Sequence, residues 1–292
     1  MNISEVNSKL YPNYKATYNY PSDNYWNGIL KKVKACKDCD GIPKVANAGD
    51  IINKNGVPCQ VMHNGVLIHE GCYHGQWMTD VIKLAKGHHE PQEEKLFYEV
   101  LNLIPENGVM VECGSFWAYY SLWFNSSIKN ARNIMIEPHP AKYQLSELNF
   151  KLNGFEGEIM NSFIGNTPLN NHPYQYWDNT NWQIPSITID SLLEENNIDS
   201  INILHADIQD NEMQLLEGAA NSLAMDKIDF LFLATHSDNN PFIEKLQSSP
   251  INYHIIESFE VNESYFDDGL ILACSSKIID KIDKNKFKVS RK

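Results

Sequence analysis

Long apolar runs and positive charge are what this chain lacks most. No stretch approaches the roughly 18 apolar residues that cross a bilayer. The N-terminus, Met-Asn-Ile-Ser-Glu-Val-Asn, has neither the basic region nor the apolar core of a secretion signal. A cytoplasmic protein without a membrane span is therefore expected. Lys and Arg number 24 against 37 Asp and Glu, a net charge of −13 over 292 residues. That balance repels phosphate backbones and argues against nucleic acid as a partner. The Lys-rich tail from Lys277 to Lys292 reads as a solvated end. Cysteines are few and unevenly spread, which excludes a disulfide framework. Cys36-Lys-Asp-Cys39, with Cys59 and Cys72 downstream, offers four thiols to zinc. The second pair lacks the Cys-x-x-Cys spacing, so ordinary reduced cysteines are expected.

Phosphate loops are also missing. There is no Gly-x-Gly-x-x-Gly and no Gly-Lys-Ser/Thr, which counts against a dehydrogenase or another nucleotide-dependent, sugar-modifying enzyme. What the chain does have is Val109-Met-Val-Glu-Cys-Gly-Ser-Phe-Trp-Ala-Tyr-Tyr-Ser-Leu-Trp-Phe124, an apolar run, an acid, a glycine and a serine, and then apolar residues at helical spacing. This reads as a buried strand, a tight turn at Gly114 and a helix that Ser115 can cap. One strand further on, Asn133-Ile-Met-Ile-Glu137 ends in an acid, where Rossmann-like folds place the carboxylate that accepts ribose hydroxyls. A ligand with a ribose and no pyrophosphate is indicated, which favours S-adenosylmethionine over NAD or ATP.

Along the rest of the chain, strands are expected near 109–113, 133–137, 156–161, 201–207, 228–233, 252–258 and 269–275. Helices are expected near 117–127, 139–152, 190–196, 210–223 and 239–248. Such alternation predicts a parallel sheet covered on both faces, with the last two strands as an antiparallel edge hairpin. Residues 1–86 read as an N-terminal extension of irregular arm, short helix near 24–34, hairpin turning at Asn64-Gly65 and short helix from Trp77, packed as a lid or substrate-side wall. Residues 87–292 form the cofactor-binding domain. His88, His89 and Glu90 precede Pro91, a helix start, and are candidates to face the ligand mouth.

The stretches Val111-Glu-Cys-Gly-Ser-Phe-Trp-Ala-Tyr-Tyr-Ser-Leu, Ile136-Glu-Pro-His-Pro, Asn149-Phe-Lys-Leu-Asn-Gly, Ile187-Thr-Ile-Asp-Ser-Leu-Leu and Ile203-Leu-His-Ala-Asp-Ile-Gln-Asp-Asn-Glu-Met-Gln-Leu-Leu-Glu-Gly-Ala follow one another between about residues 88 and 275. In order and spacing they resemble the FkbM family of S-adenosylmethionine-dependent methyltransferases. The resemblance implies a class I methyltransferase fold, an α/β Rossmann-like, seven-stranded, mostly parallel sheet. It implies Glu112, Gly114 and Ser115 around the methionine moiety, Glu137 on the ribose, Ser162 and Phe163 near the adenine, and Asp207 beside the transferring methyl group. O-methylation of a sugar or another polar small molecule, in glycan or secondary-metabolite biosynthesis, is the implied reaction. The chain departs from the family pattern at Asp207-Ile-Gln209-Asp210, where Gln209 replaces the usual Glu and Asp210 the usual Gly. Both then become candidate substrate contacts, and a non-catalytic scaffold on a cofactor-binding fold is the competing reading.

A hydroxyl nucleophile needs a proton acceptor, and His236, just past the fifth strand, is the candidate base to converge with Asp207. Asp207, Asp210 and His236, with His205 and Glu212, also form a less favoured ligand set for Mg²⁺. Asn166–Pro185 reads as a long polar loop in which Tyr174, Tyr176, Trp177 and Trp182 offer stacking faces, Tyr176 and Trp177 as substrate contacts.

Overall fold

A computed structural model of the chain describes residues 23–175 and 181–292. Its centre is the run Val109–Cys113, which forms β4 because β-branched and apolar residues alternate there with both faces covered. Strand β5 (Arg132–Ile136) pairs with it in parallel on one side, and β10 (Ile201–Ala206) on the other. Beyond β10 lies β11 (Ile228–Thr235), also parallel, and beyond β5 the short β6 (Glu158–Met160). Strand β13 (Gly269–Cys274) runs antiparallel between β11 and β12 (His254–Phe259). The order β12-β13-β11-β10-β4-β5-β6 is the seven-stranded, mostly parallel sheet with an antiparallel edge that the sequence predicts.

Successive residues of each strand point to opposite faces, and two apolar clusters result. On one face Met110, Met135, Ile203, Phe232 and Leu272 pack against α3 (Pro91–Leu101), α4 (Tyr119–Ser127) and α5 (Pro140–Asn153). On the other, Val111, Ile134, Leu204, Leu231 and Ile271 meet α6 (Ile189–Glu195), α7 (Glu212–Gly218), α8 (Ala220–Ala224) and α9 (Asn240–Gln247). The N-terminal elements join the first cluster. These are α1 (Asp23–Ala35), the sheet of β1 (Ile51–Lys54), β2 (Val57–Val61) and β3 (Leu67–His69), and α2 (Gln76–Leu84). Met62, Ile68, Met78 and Val81 are buried in the same cluster as Met110 and Phe232. Among the described residues no helix is long and apolar enough to cross a membrane.

Three local expectations need correction. Asn166–Pro185 is not a loop: β8 (Leu169–Gln175) and β9 (Asn181–Ile187) pair antiparallel beside β7 (Phe163–Ile164). The apolar-polar alternation of Trp182-Gln-Ile-Pro-Ser-Ile carries that hairpin, and it was masked by the surrounding asparagines and prolines. The helix expected over 210–223 is two, broken at Ala219, where Gly218 lies so close to the Gly165 carbonyl that a Cβ would meet its oxygen at 2.2 Å. Strand β1 was also unforeseen; Asn55 and Gly56, both at positive φ (54° and 85°), turn it into β2.

Candidate functional site

Strands β4, β5, β10 and β11 all end on the same side of the sheet, and the chemistry-bearing side chains collect there. At the end of β4 the chain turns at Gly114, with φ 79°. Its N–H and that of Ser115 donate to the Ile136 carbonyl at 2.8 and 3.3 Å, tying the turn to β5. Ser115 does not cap the helix: its hydroxyl meets that of Ser146 at 3.1 Å, and α4 begins only at Tyr119. Phe116 (φ 43°) and Ala118 (φ 61°) take left-handed conformations, so the helix cannot start earlier.

Glu137 is buried, and its two oxygens accept from the backbone N–H groups of Phe116 (3.0 Å) and His139 (2.8 Å). Burial raises its carboxyl above the usual range, against the pull of Lys142. About four lone-pair sites surround a carboxylate, so two remain for hydroxyl donors. Glu112 accepts from the Ser121 N–H at 3.2 Å, and burial pushes its carboxyl up to about 7.

A cleft opens above Gly114. It is walled by the rings of Tyr73, Phe116, Trp117, Tyr119 and Tyr120 and by the carboxyls of Glu90, Glu93, Glu112, Asp207 and Asp268, with His89 and His205 between them. No lysine or arginine is among these described lining residues, and Lys142 Nζ stands 4.0 Å over the Phe116 ring. His89 contacts Glu90 at 3.1 Å and Glu94 at 2.9 Å; burial would lower it, but Glu90 and Glu94 outweigh that and raise it to about 10. His88 faces away from the cleft, stacks on His63 at 4.3 Å and pairs with Glu94. Ser162, Phe163 and Glu137 lie outside the cleft lining; Phe163 stacks on His172 at 4.2 Å. Tyr176 and Trp177 lie outside the described residues.

Past β10 and β11, His236 Nε2 approaches Asp268 at 3.1 Å and Asp207 at 3.6 Å, while Nδ1 lies 3.6 Å from Glu212. Burial alone would lower His236; Asp268, Glu212 and Asp207 overcome it and raise it to about 11. It is a cation at neutral pH and donates rather than accepts. Gln209 Nε2 donates to Asp207 at 3.0 Å and also lies 2.7 Å from His236 Nε2, which has no lone pair to accept from it as a cation. Asp210 is exposed, and one donor atom each from Asp210, Glu212 and His236 lies within 4.8 Å of the others.

Sequence reasoning missed Glu93 and Asp268, and offered His205 only as a less favoured metal ligand. Glu93 sits one helical turn after Glu90, and its Oε1 lies 2.7 Å from His205 Nε2. Burial pushes Glu93 up to about 7 against the pull of His205. The available signal was position: His205 is two residues before Asp207 and so shares its side of the strand, and Asp268 immediately precedes β13.

These residues fit S-adenosylmethionine. The ring-lined cleft supplies carboxylates for its sulfonium and ammonium, and Glu137, behind the lining, keeps two lone-pair sites not used by backbone N–H groups. Residues 106–267, more than half of the chain, match the model of the methyltransferase FkbM domain. No curated protein matches. Similar solved structures include TrmK of M. capricolum in complex with S-adenosyl-homocysteine (12% identity over 62% of this chain and 67% of that one, TM-score 0.40). The METTL16 methyltransferase domain gives 13% identity over 63% and 68%, TM-score 0.43. A precorrin-6y C5,15-methyltransferase of Geobacter metallireducens GS-15 gives 12% over 63% and 86%, TM-score 0.41. The assignment rests on the family match rather than on these distant likenesses: the chain belongs to the FkbM family of methyltransferases and uses S-adenosylmethionine as its cofactor.

Proposed function

We propose that the enzyme methylates a hydroxyl of an uncharged sugar or a similar polar small molecule, with residues 1–86 forming the acceptor-side wall. The observation that carries this reading is the cleft lining, with five carboxyls, five aromatic rings and no lysine or arginine among the described lining residues. Carboxylates accept from sugar hydroxyls, and aromatic faces stack on the C–H faces of a pyranose. Tyr73 is the N-terminal contribution to that wall.

When bound, S-adenosylmethionine supplies a methyl group on a sulfonium, which breaks its S–C bond as the acceptor oxygen forms the new O–C bond. The chain's own task is alignment and removal of one proton. In this reading Asp207 takes the hydroxyl proton, since burial and Asp268 raise its carboxyl toward the range of a useful base. The His236 cation, 3.6 Å away, holds Asp207 in place instead of serving as the base itself. Gln209 donates to Asp207 and orients that carboxyl. His89 and Glu90 line the acceptor side.

The test is release of S-adenosylhomocysteine by purified protein offered neutral glycosides, phosphorylated sugars, nucleotides and tRNA in parallel. Turnover on neutral polyols supports the reading. Turnover confined to phosphorylated acceptors or RNA sinks it.

A further inference from the structure

Behind the cleft wall, and outside the residues matched by the family model, Cys39, His88 and Glu94 converge in the core. One donor atom from each lies within 4.8 Å of the others, and the three residues are 6, 1 and 0% exposed. Three different segments supply them: the stretch after α1, the turn before α3, and the first turns of α3 itself. Cys36, the nearer partner by sequence, takes no part; its sulfur contacts Asp38 at 3.4 Å and Ser290 at 3.8 Å.

From this geometry we infer a buried zinc site with Cys39, His88 and Glu94 as ligands. Zinc bonds of about 2.0–2.3 Å put neighbouring ligand atoms ~3.3–3.8 Å apart, inside the 4.8 Å that bounds the three donor atoms, with His88 ligating through Nε2 because its Nδ1 is hydrogen-bonded to Glu94. A sulfur, an imidazole nitrogen and a carboxylate oxygen suit zinc, and softer or harder ions less well. A thiolate and a carboxylate together match the two positive charges of the ion, and the His89 imidazolium that also leans on Glu94 keeps Glu90 as its second carboxylate. A second observation points the same way: His88 Nε2 is buried and has no hydrogen-bond partner.

The surroundings are built as a support for such ligands. Glu94 Oε1 accepts from the N–H groups of His89 (2.6 Å) and Glu90 (3.0 Å), and Oε2 accepts from the Tyr119 hydroxyl (2.9 Å). His63 stacks on the His88 ring and bonds Tyr119 at 3.0 Å. With three protein ligands one coordination position is left, for a water or the Tyr119 oxygen. The role is that of a staple. Helix α3 also carries Glu93, with Glu90 at its N-cap, and Tyr119 faces the same cleft, so zinc would fix the N-terminal segment and the acidic wall as one piece.

The experiment uses the full chain, purified from zinc-supplemented culture. Elemental analysis should give about one zinc per chain, removed by a strong chelator. Replacement by Co²⁺ should give the visible bands of a four-coordinate ion and a near-ultraviolet thiolate-to-cobalt band. That band should vanish in Cys39→Ser and persist in Cys36→Ser, and His88→Gln should weaken Co²⁺ binding at least tenfold. Wild-type protein, folded by circular dichroism, that binds neither ion at equimolar metal would overturn the site. So would Co²⁺ binding without the thiolate band, or a band that survives Cys39→Ser. Wild-type spectra alone decide the matter if a variant fails to fold.

Discussion

Gly114 and Asp207 meet backbone to backbone: a Cβ on Gly114 would stand 1.9 Å from the Asp207 carbonyl oxygen. The Asp207 N–H in turn donates to the Cys113 carbonyl at 3.1 Å, so the ends of β4 and β10 are laced together. The requirement for glycine thus comes from the neighbouring strand as well as from the positive φ, before any ligand arrives.

Gly114→Ala should therefore cost more than the roughly 1–2 kcal/mol of a left-handed alanine, because the strand ends must also separate. We expect a loss of about 3 kcal/mol or more in urea unfolding. Cofactor binding should fall along with it, since Glu112 and Asp207 shift as the strands part. A variant as stable as wild type would mean that the two backbones are free to move apart.

The carboxyl of Glu112 makes a second prediction, about stability and pH. Its folded value of about 7 lies above its ordinary 4.5, so between those values the folded state holds more protons than the unfolded one. Stability then falls as pH rises from 4.5 through 7, by an order of 3 kcal/mol for this group. Glu112→Gln removes the titration. It should raise the melting temperature at pH 8 and leave it nearly unchanged at pH 4.5, while cofactor affinity drops. Equal shifts at both pH values would show that the buried charge is not what costs stability.

Much of this was legible beforehand, and the reasons differ by element. Val109–Cys113 and Ile201–Ala206 announced themselves as mainly apolar runs, interrupted only by Glu112, Asn202 and His205, because parallel strands are buried on both faces. The hairpin β8–β9 did not, since its outer residues are exposed asparagines, glutamines and prolines. In the site, Glu112, Gly114 and Asp207 could be placed because strand ends fix them. Glu93 and Asp268 could not, because the helix and loop that bring them to the cleft have no periodic relation to the sheet. His236 was placed correctly past β11, but its charge depends on Asp268, sequentially remote and spatially 3.1 Å away.

Glu137 offers a separation of structural from binding roles. Its oxygens satisfy two backbone N–H groups, and an amide keeps only one good acceptor atom. Glu137→Gln should cost about 1–3 kcal/mol of stability by leaving an N–H facing an NH₂. If the remaining lone pairs also serve a ribose, calorimetric affinity for S-adenosylmethionine and S-adenosylhomocysteine should fall at least tenfold, a loss of about 1.4 kcal/mol. Lower stability with unchanged affinity would confine Glu137 to fixing the Phe116 turn.

His236 provides the last test, because its three carboxylate neighbours fix the direction of its pH dependence. Its folded value, about 11, is above the ordinary 6.5. The stabilisation it contributes is therefore fully present below pH 6.5 and is lost as pH rises through about 11. His236→Gln leaves Asp207, Asp268 and Glu212 facing one another with no cation between them. The gap in melting temperature between wild type and variant should be wide at pH 6.5 and narrow by pH 10.5. Affinity for S-adenosylhomocysteine should change little, whereas turnover on an acceptor found in the glycoside panel should fall about 10²-fold. A gap that widens toward alkaline pH would mean that the imidazole is neutral in the folded protein, and would return the role of base from Asp207 to His236.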